Sequence, residues 1–410
     1  MNRRQFLCLC CAGPFTAVFA RAQAAEAGCF APLPAELARH ELVAAAWSGL
    51  DPQRVWDAHA HLVGTGDSGG GAYVHPDTQS WFKPIERIRR KVLMAAACVD
   101  DAPDGAVDAR YVERLNALLD AFPPGFRMLL FAFDHAVDDA GVERPERSTF
   151  HTPNAYAVAV ARARPERFEW VASIHPYRPD ALERLDAAAA AGARAVKWLP
   201  SSMNIDPASA RCDAFYARLV AHRLPLIVHG GEEVAAPGAR QHAFNNPLRL
   251  RRALDAGVRV VVAHAATLGH ARDIDRGEDG PRERAFDLFA RLMDDARYEG
   301  RLFGDLSAVF QRNRELDVMR RLLARGDWHH RLLHGSDYPL PGIGLLYSMP
   351  MFIAAGLLDA ATAEVLLRIR AFNPLLFEFV LKRTLADGAA RLAPSVFHTR
   401  DFFAPQNDNN

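Results

Sequence analysis

Short aliphatic and β-branched runs recur along the chain: RVWDAH from Arg54, RMLLFAF from Arg127, RFEWVASI from Arg167, RAVKWL from Arg194, LPLIVH from Leu224, VRVVVAH from Val258, RLFGDLS from Arg301 and RLLHGS from Arg331. Between most of them lies an amphipathic stretch with helical period. Eight strands alternating with helices predict an α/β protein with a parallel sheet, and eight is the number that closes into a (β/α)8 TIM barrel. Asp206 before Pro207 and Asn246 before Pro247 read as N-caps followed by proline at the first helical position. Gly192 and Gly257 sit where helices must stop.

The rhythm fixes the organisation. Residues 1–24 read as an export signal, 25–51 as a helical segment (ELARHELVAAAW) packing on the main domain, 52–385 as the barrel, and 386–410 as a loose polar tail. Residues 62–126, too long for one loop and helix, form an insertion after strand one that is expected to act as a lid. Its VGTGDSGGG run does not lead directly into a helix of phosphate-loop form, so its glycines read as flexible.

The signal rests on a charged start, MNRRQFL, an apolar run, LCLCCAGPFTAVFA, and a small-residue cleavage site at Ala22-Gln23-Ala24. Arg3-Arg4-Gln5-Phe6-Leu7 resembles the twin-arginine pattern, with Asn2 and Cys8 departing from its usual flanks. A periplasmic location follows as an expectation. Glu26 sits where a lipidation site wants an apolar residue, which argues against a lipidated Cys29. Once the signal leaves, Cys29, Cys98 and Cys212 remain, and so scattered a trio reads as neither a disulfide framework nor a zinc cluster.

The 410 residues carry 49 basic and 49 acidic groups, and half are apolar. This balance points to a globular protein and gives no electrostatic signal for nucleic acid. A small-molecule substrate is expected, with no stable membrane insertion after signal removal, since the apolar run of about 14 residues is short for a spanning helix; the oligomeric state is left open.

In a barrel of this kind the chemistry sits where strands end. His59 and His61 close strand one, sharing a face because alternate strand residues do. Lys197 lies in strand four, His229 closes strand five, His264 follows strand six and Asp337 follows strand eight. The pair, the single histidines and HGSDYP resemble the metal-dependent hydrolases of the amidohydrolase superfamily. HGSDYP and RAFNPLLFEF around Asn373 are similar to its amidohydrolase-related branch of lactonases, hydratases and nonoxidative decarboxylases; the resemblance spans roughly residues 52 to 380.

The residue types support this reading independently. Neutral imidazole and carboxylate suit a divalent metal, and a catalytic site keeps a position for water whose pKa falls toward about 7. His59, His61, His229 and Asp337 are the expected ligands of one zinc, with manganese and iron as alternatives. Asp337 would also take a proton from the attacking water, and His264 would bind the substrate or stabilise developing charge. The expected reaction is attack of metal-activated water on an ester, lactone or amide carbonyl. Nonoxidative decarboxylation is the nearest alternative, and a noncatalytic metal-binding protein of the periplasm is an alternative of another class.

Lys197 stands out because the chain has only three other lysines, Lys83, Lys91 and Lys382. Unlike arginine it can lose its proton, so it could act as a base, pair with a carboxylate, orient a substrate anion or, carbamylated, bridge two metals. Asp134, His135, His175, Glu232, Glu233 and Asp305 are weaker candidates that could line the pocket, cap a segment or orient an imidazole. Trp56 and Trp198 read as packing. His329 and His330 precede strand eight and should lie at the far end of the barrel.

Overall fold

The computed structural model describes residues 28–404 apart from 104 and 237, so the expected export signal, residues 1–24, and the last six residues lie outside the described residues. Eight parallel strands follow the eight apolar runs: β1 Trp56–His61, β2 Arg127–Phe131, β3 Phe168–Val171, β4 Val196–Trp198, β5 Leu226–His229, β6 Val260–Ala263, β7 Leu302–Asp305 and β8 Leu332–Leu333. They pair β1-β2-β3 in one sheet and β4-β5-β6-β7-β8 in another.

Isolated parallel bridges join the two sheets at both seams. Ala172 pairs with Val196 beyond β3, and Ala60 pairs with Tyr338 beyond β8. At the β8–β1 seam Ala58 N–H donates to His334 O at 3.0 Å, Asp337 N–H to His59 O at 2.7 Å and His61 N–H to Tyr338 O at 3.0 Å. The ring of eight therefore closes, as the apolar rhythm predicts.

Trp56, Ala58, Leu129, Phe131, Val171, Ala195, Ile227, Val261 and Leu333 fill the interior, while the larger apolar cluster lies between strands and helices. Trp56 belongs to the first and Trp198 to the second; the Trp198 indole N–H donates to Ile174 O at 2.9 Å, so both tryptophans pack as expected.

Two expectations about the ends need correction. The supposed loose tail is packed as far as Ala404. Thr399 Oγ1 accepts from Trp56 N–H at 2.9 Å, and the short helix Arg400–Phe403 drives Phe402 and Phe403 into the interior cluster from below. Cys29 and Cys98 form a disulfide across a sequence separation of 69 residues, tying the N-terminal segment to the insertion. Closing a loop of that length stabilises the fold by about 4 kcal/mol in the chain-entropy picture. Among the described residues Cys212 is the one free cysteine, and it is buried.

The insertion holds the helices Pro84–Ala96 and Val107–Leu119 and a strand, Tyr73–Val74, paired with Phe150–His151. Its glycine-rich run is not slack. Asp67 accepts from the N–H groups of Val107 at 2.7 Å and Asp108 at 3.0 Å, capping a helix start that lacks a local cap. Asp108 in return accepts from Thr65 N–H at 2.6 Å and from the Ser68 hydroxyl at 2.7 Å. Asn246 caps its helical turn by accepting from Leu248 N–H at 3.0 Å. Asp206 caps only a turn, at Ala208 N–H, and the next α-helix starts at Asp213.

Candidate metal centre

The strand ends that build the site are locally unusual. A bulge shifts the β1 register against β2 between Asp57 and Ala60. Ala58 therefore joins the interior cluster whereas Ala60 turns toward the helices, and both histidines face the interior, with ring centroids 4.6 Å (His59) and 5.8 Å (His61) from Phe131. After β6, His264, Ala265 and Ala266 all have positive φ, and Asp337 after β8 has φ 61°. Such backbone is strained for side chains of this kind and is retained where surrounding contacts impose it. Gly335 lets the segment after β8 press against β1, since a Cβ there would lie 2.7 Å from the His59 Cβ.

Asp337 is the focus. Its Oδ1 lies 3.0 Å from His61 Nε2 and 3.4 Å from His59 Nε2, and its Oδ2 lies 3.9 Å from His264 Nδ1. Behind it, His59 Nδ1–H donates to Asp305 Oδ2 at 2.9 Å and approaches Ser307 Oγ at 3.0 Å. Putting the proton on Nδ1 leaves a lone pair on Nε2, a buried atom with no hydrogen-bond partner. Asp305 Oδ1 also accepts from the backbone N–H groups of His264 and Ser307, each at 3.0 Å, and from the Ser307 hydroxyl. Ser307 Oγ and O lie 2.8 and 3.0 Å from His264 Nδ1.

Burial depresses the histidines, His59 to about 4 and His264 well below its usual value, with Lys197 adding to the shift at His59 and neighbouring imidazoles to that at His264. Burial pushes Asp305 and Asp337 upward, but the surrounding imidazoles outweigh it and hold both carboxyls well below the usual range. At neutral pH the site is thus two neutral buried imidazoles around ionised carboxylates, the protonation state that metal binding requires. Among the described residues His59, His264 and Asp337 each offer a ligand atom, all within 4.8 Å of one another. The orphaned His59 Nε2 and this nitrogen-and-oxygen donor set fit a divalent cation.

The ligand set differs from the expected one. His61 is at hand beside Asp337, and at 21% side-chain exposure it is the most open group, marking the mouth. His229 stays outside the three-residue group: its ring lies 5.1 Å from that of His264, but Nδ1 is 3.3 Å from Glu233 Oε2 and Nε2 is 3.4 Å from Glu232 O. His264, expected as a substrate group, lies inside, because its left-handed backbone and Ser307 bring the ring inward. Asp305, a weaker candidate, orients His59.

Lys197 is buried and faces Asp305, Asp337 and Glu233, and its Nζ has no hydrogen-bond partner. Burial lowers its pKa to about 8 despite those carboxylates. The centroid of the Phe131 ring lies 5.1 Å from Nζ.

The remaining candidates are mostly structural. Asp134 accepts from His135 N–H and His175 N–H, both at 2.9 Å, and the His175 ring meets Met203 O at 2.8 Å. His135 stacks on His151 with centroids 3.9 Å apart. His329 and His330 bond Leu322 O and Glu299 away from the site, as expected.

Sequence reasoning missed Ser307, Gln311, Arg314 and Tyr347. The Gln311 Nε2 and Tyr347 OH are buried without partners. The half-buried Arg314 bonds Ala308 O through Nε at 3.2 Å and faces Asp337, Glu233, Glu232 and Tyr347. Ser307, two residues after Asp305, had a signal in GDLS; the others lie on irregular loops with none.

A sequence model of a family described as amidohydrolase matches residues 56–368. No curated protein matches the chain. Solved structures that resemble it include an uncharacterised TIM-barrel protein from Bordetella bronchiseptica, 16% identical over 77% of this chain and 99% of that chain, with TM-score 0.43. Another is 5-carboxyvanillate decarboxylase from Sphingomonas paucimobilis, 10% identical over 86% and 99%, with TM-score 0.44. A third is an amidohydrolase from Burkholderia multivorans with bound zinc, 14% identical over 76% and 95%, with TM-score 0.41.

Proposed function

This chain belongs to the amidohydrolase family, and from that premise we propose that it is a metal-dependent hydrolase acting on an ester, lactone or amide carbonyl of a small molecule. The observation that carries the reading is the convergence of His59, His264 and Asp337 on one point, with Asp305 and Ser307 fixing the imidazoles from behind. These three residues would hold one divalent metal, zinc for preference, with His61 beside them. The metal supplies Lewis acidity and lowers the pKa of water at the site.

The chain's own groups do the rest. Asp337 is the carboxylate placed to take the proton of the attacking water, since it is ionised at neutral pH and His61 lies 3.0 Å away to share the charge. His61 and His229 line the mouth side, where the carbonyl oxygen would approach. Lys197, unpartnered and with its pKa near 8, supplies positive charge beneath the cluster.

A second reading, nonoxidative decarboxylation, is favoured by Arg314, whose guanidinium faces the site and would hold a substrate carboxylate. Metal-loaded protein assayed side by side on lactones, esters, amides and carboxylated aromatics separates the two. Release of an acid from a lactone or ester supports hydrolysis; carbon dioxide release from the aromatics alone refutes it.

We further propose a periplasmic location reached by the twin-arginine route. The Cys29–Cys98 disulfide supports it, because such bonds persist in oxidising compartments. Recovery of the protein in the cytoplasm with both thiols reduced would refute it.

A further inference from the structure

The helix Pro84–Ala96 buries a single residue, Ala96, along its 13 residues. A helix so little packed draws almost nothing from tertiary burial, which is what ordinarily holds a helix of this length together. Its C-terminal end is the more firmly tied, while its start meets the short turn Pro76–Thr78. Beyond its C-terminus Cys98 is bonded to Cys29, and Gly342 passes so close that a Cβ there would lie 2.3 Å from Ala96 O. At the other end the chain presents Trp81, 77% exposed, and Phe82, 93% exposed.

Ile85, Ile88 and Val92, all exposed, follow at three- and four-residue spacing and form one stripe along the helix, while Trp81 and Phe82 precede its first turn. Lys83, Arg87, Arg90 and Lys91 occupy the other arc, Arg89 borders the stripe, and Glu86 is the single acid between 81 and 96. The Arg87 guanidinium lies 3.2 Å from the Trp81 ring centroid, Arg89 pairs with Glu86 at 2.5 Å, and Lys83 lies 3.9 Å from Asp77.

From this face we infer that the helix Pro84–Ala96 and its aromatic tip dock the protein on the surface of an anionic lipid bilayer. Five cations against one acid require a negatively charged partner. A second copy of the same face, brought up by a two-fold axis, would oppose like charge to like charge and is disfavoured. Two neighbouring exposed aromatics, one of them backed by the Arg87 guanidinium, suit a deformable apolar layer, whereas a rigid protein would need a separate pocket for each. Basic amphipathic helices with exposed Trp and Phe lie in the plane of the interface, their long cationic stems reaching toward lipid phosphates. A helix of 13 residues is well short of the roughly 20 needed to span a bilayer, and no helix among the described residues is long and apolar enough to cross one. The attachment is therefore peripheral.

The test is co-sedimentation of the metal-loaded protein, as the cell processes it, with phosphatidylcholine vesicles that either contain or lack phosphatidylglycerol. A Trp81→Ser/Phe82→Ser double variant and a Lys91→Glu variant are compared with it; all share residues 1–24 or their processed form, so differences report the helix alone. We expect binding to the anionic vesicles that falls with added salt, a loss of about tenfold or more in the double variant, and a loss of about fivefold or more for the charge reversal. Thermal midpoints should be unchanged, since the substituted side chains are exposed. Equal binding to neutral vesicles, binding unaltered by the double variant, or no vesicle binding would overturn the inference. So would a wild-type dimer that the double variant converts to monomer without any vesicle binding, which would assign the face to a second copy.

Discussion

Asp305→Asn tests the centre at its hinge. The carboxylate takes the His59 Nδ1–H on one oxygen at 2.9 Å, and on the other the N–H groups of His264 and Ser307 at 3.0 Å together with the Ser307 hydroxyl. Asparagine keeps the shape and one acceptor oxygen but loses the charge, and hydrogen bonds to ionised groups are roughly twice as strong as neutral ones. Partners that orient a metal-binding histidine in this way change metal affinity by about 10- to 100-fold. We therefore expect Asp305→Asn to bind zinc about 10- to 100-fold more weakly, with the metal-free thermal midpoint nearly unchanged. Asp305→Ala should also lower metal-free stability by about 3 kcal/mol or more, because several buried donors lose their acceptor. Competition with a chelator of known affinity measures the first effect, and denaturant unfolding the second. Wild-type zinc affinity in Asp305→Asn would refute the assignment of Asp305 as the group that orients His59.

The two strand-end histidines can be ranked by replacement: His264→Ala should lose bound metal to a far greater degree than His229→Ala, and metal analysis showing the reverse would restore the ligand set expected from sequence. Cys29→Ser should lower unfolding stability by about 4 kcal/mol under nonreducing conditions, and an unchanged denaturant midpoint would refute that contribution. Asp275 bonds Arg251 Nη2 at 2.8 Å and Arg291 Nη1 at 2.9 Å, and hydrogen bonds from Arg251 foremost hold its pKa at about 2. A depressed carboxyl contributes stability above its unfolded pKa of about 4 and loses it as pH falls toward 2. Asp275→Asn should then cost about 1 kcal/mol at pH 7, after allowing for solvent screening, and nothing near pH 2; a constant difference between the two pH values would contradict this.

The barrel was legible because the strands are short, mostly apolar runs recurring between amphipathic helical stretches, so that rhythm placed all eight. The focus at Asp337 and the inward pair on β1 were legible for the same reason. That the His264 ring joins the group around Asp337 was not legible, because its direction depends on three left-handed residues, a conformation that no side-chain pattern encodes. Glu233, four residues after His229 and a sequence candidate to orient an imidazole, lies 3.3 Å from its Nδ1. Cys29 and Cys98 lie 69 residues apart in sequence, and their pairing depends on how the insertion folds back. Phe402 and Phe403 follow a polar stretch and look like the start of a tail; only the open lower end of the barrel gives them a place to be buried.

That last contact ties the end of the chain to its beginning. Trp56, in the first strand, meets Thr399 and the interior cluster that Phe402 and Phe403 complete. A nascent polypeptide emerging from the ribosome would carry a barrel with no floor until the helix Arg400–Phe403 had been made, and with its first strand missing one neighbour until β8 had been. Completion of the core thus waits for residues some 343 positions after the strand they cover.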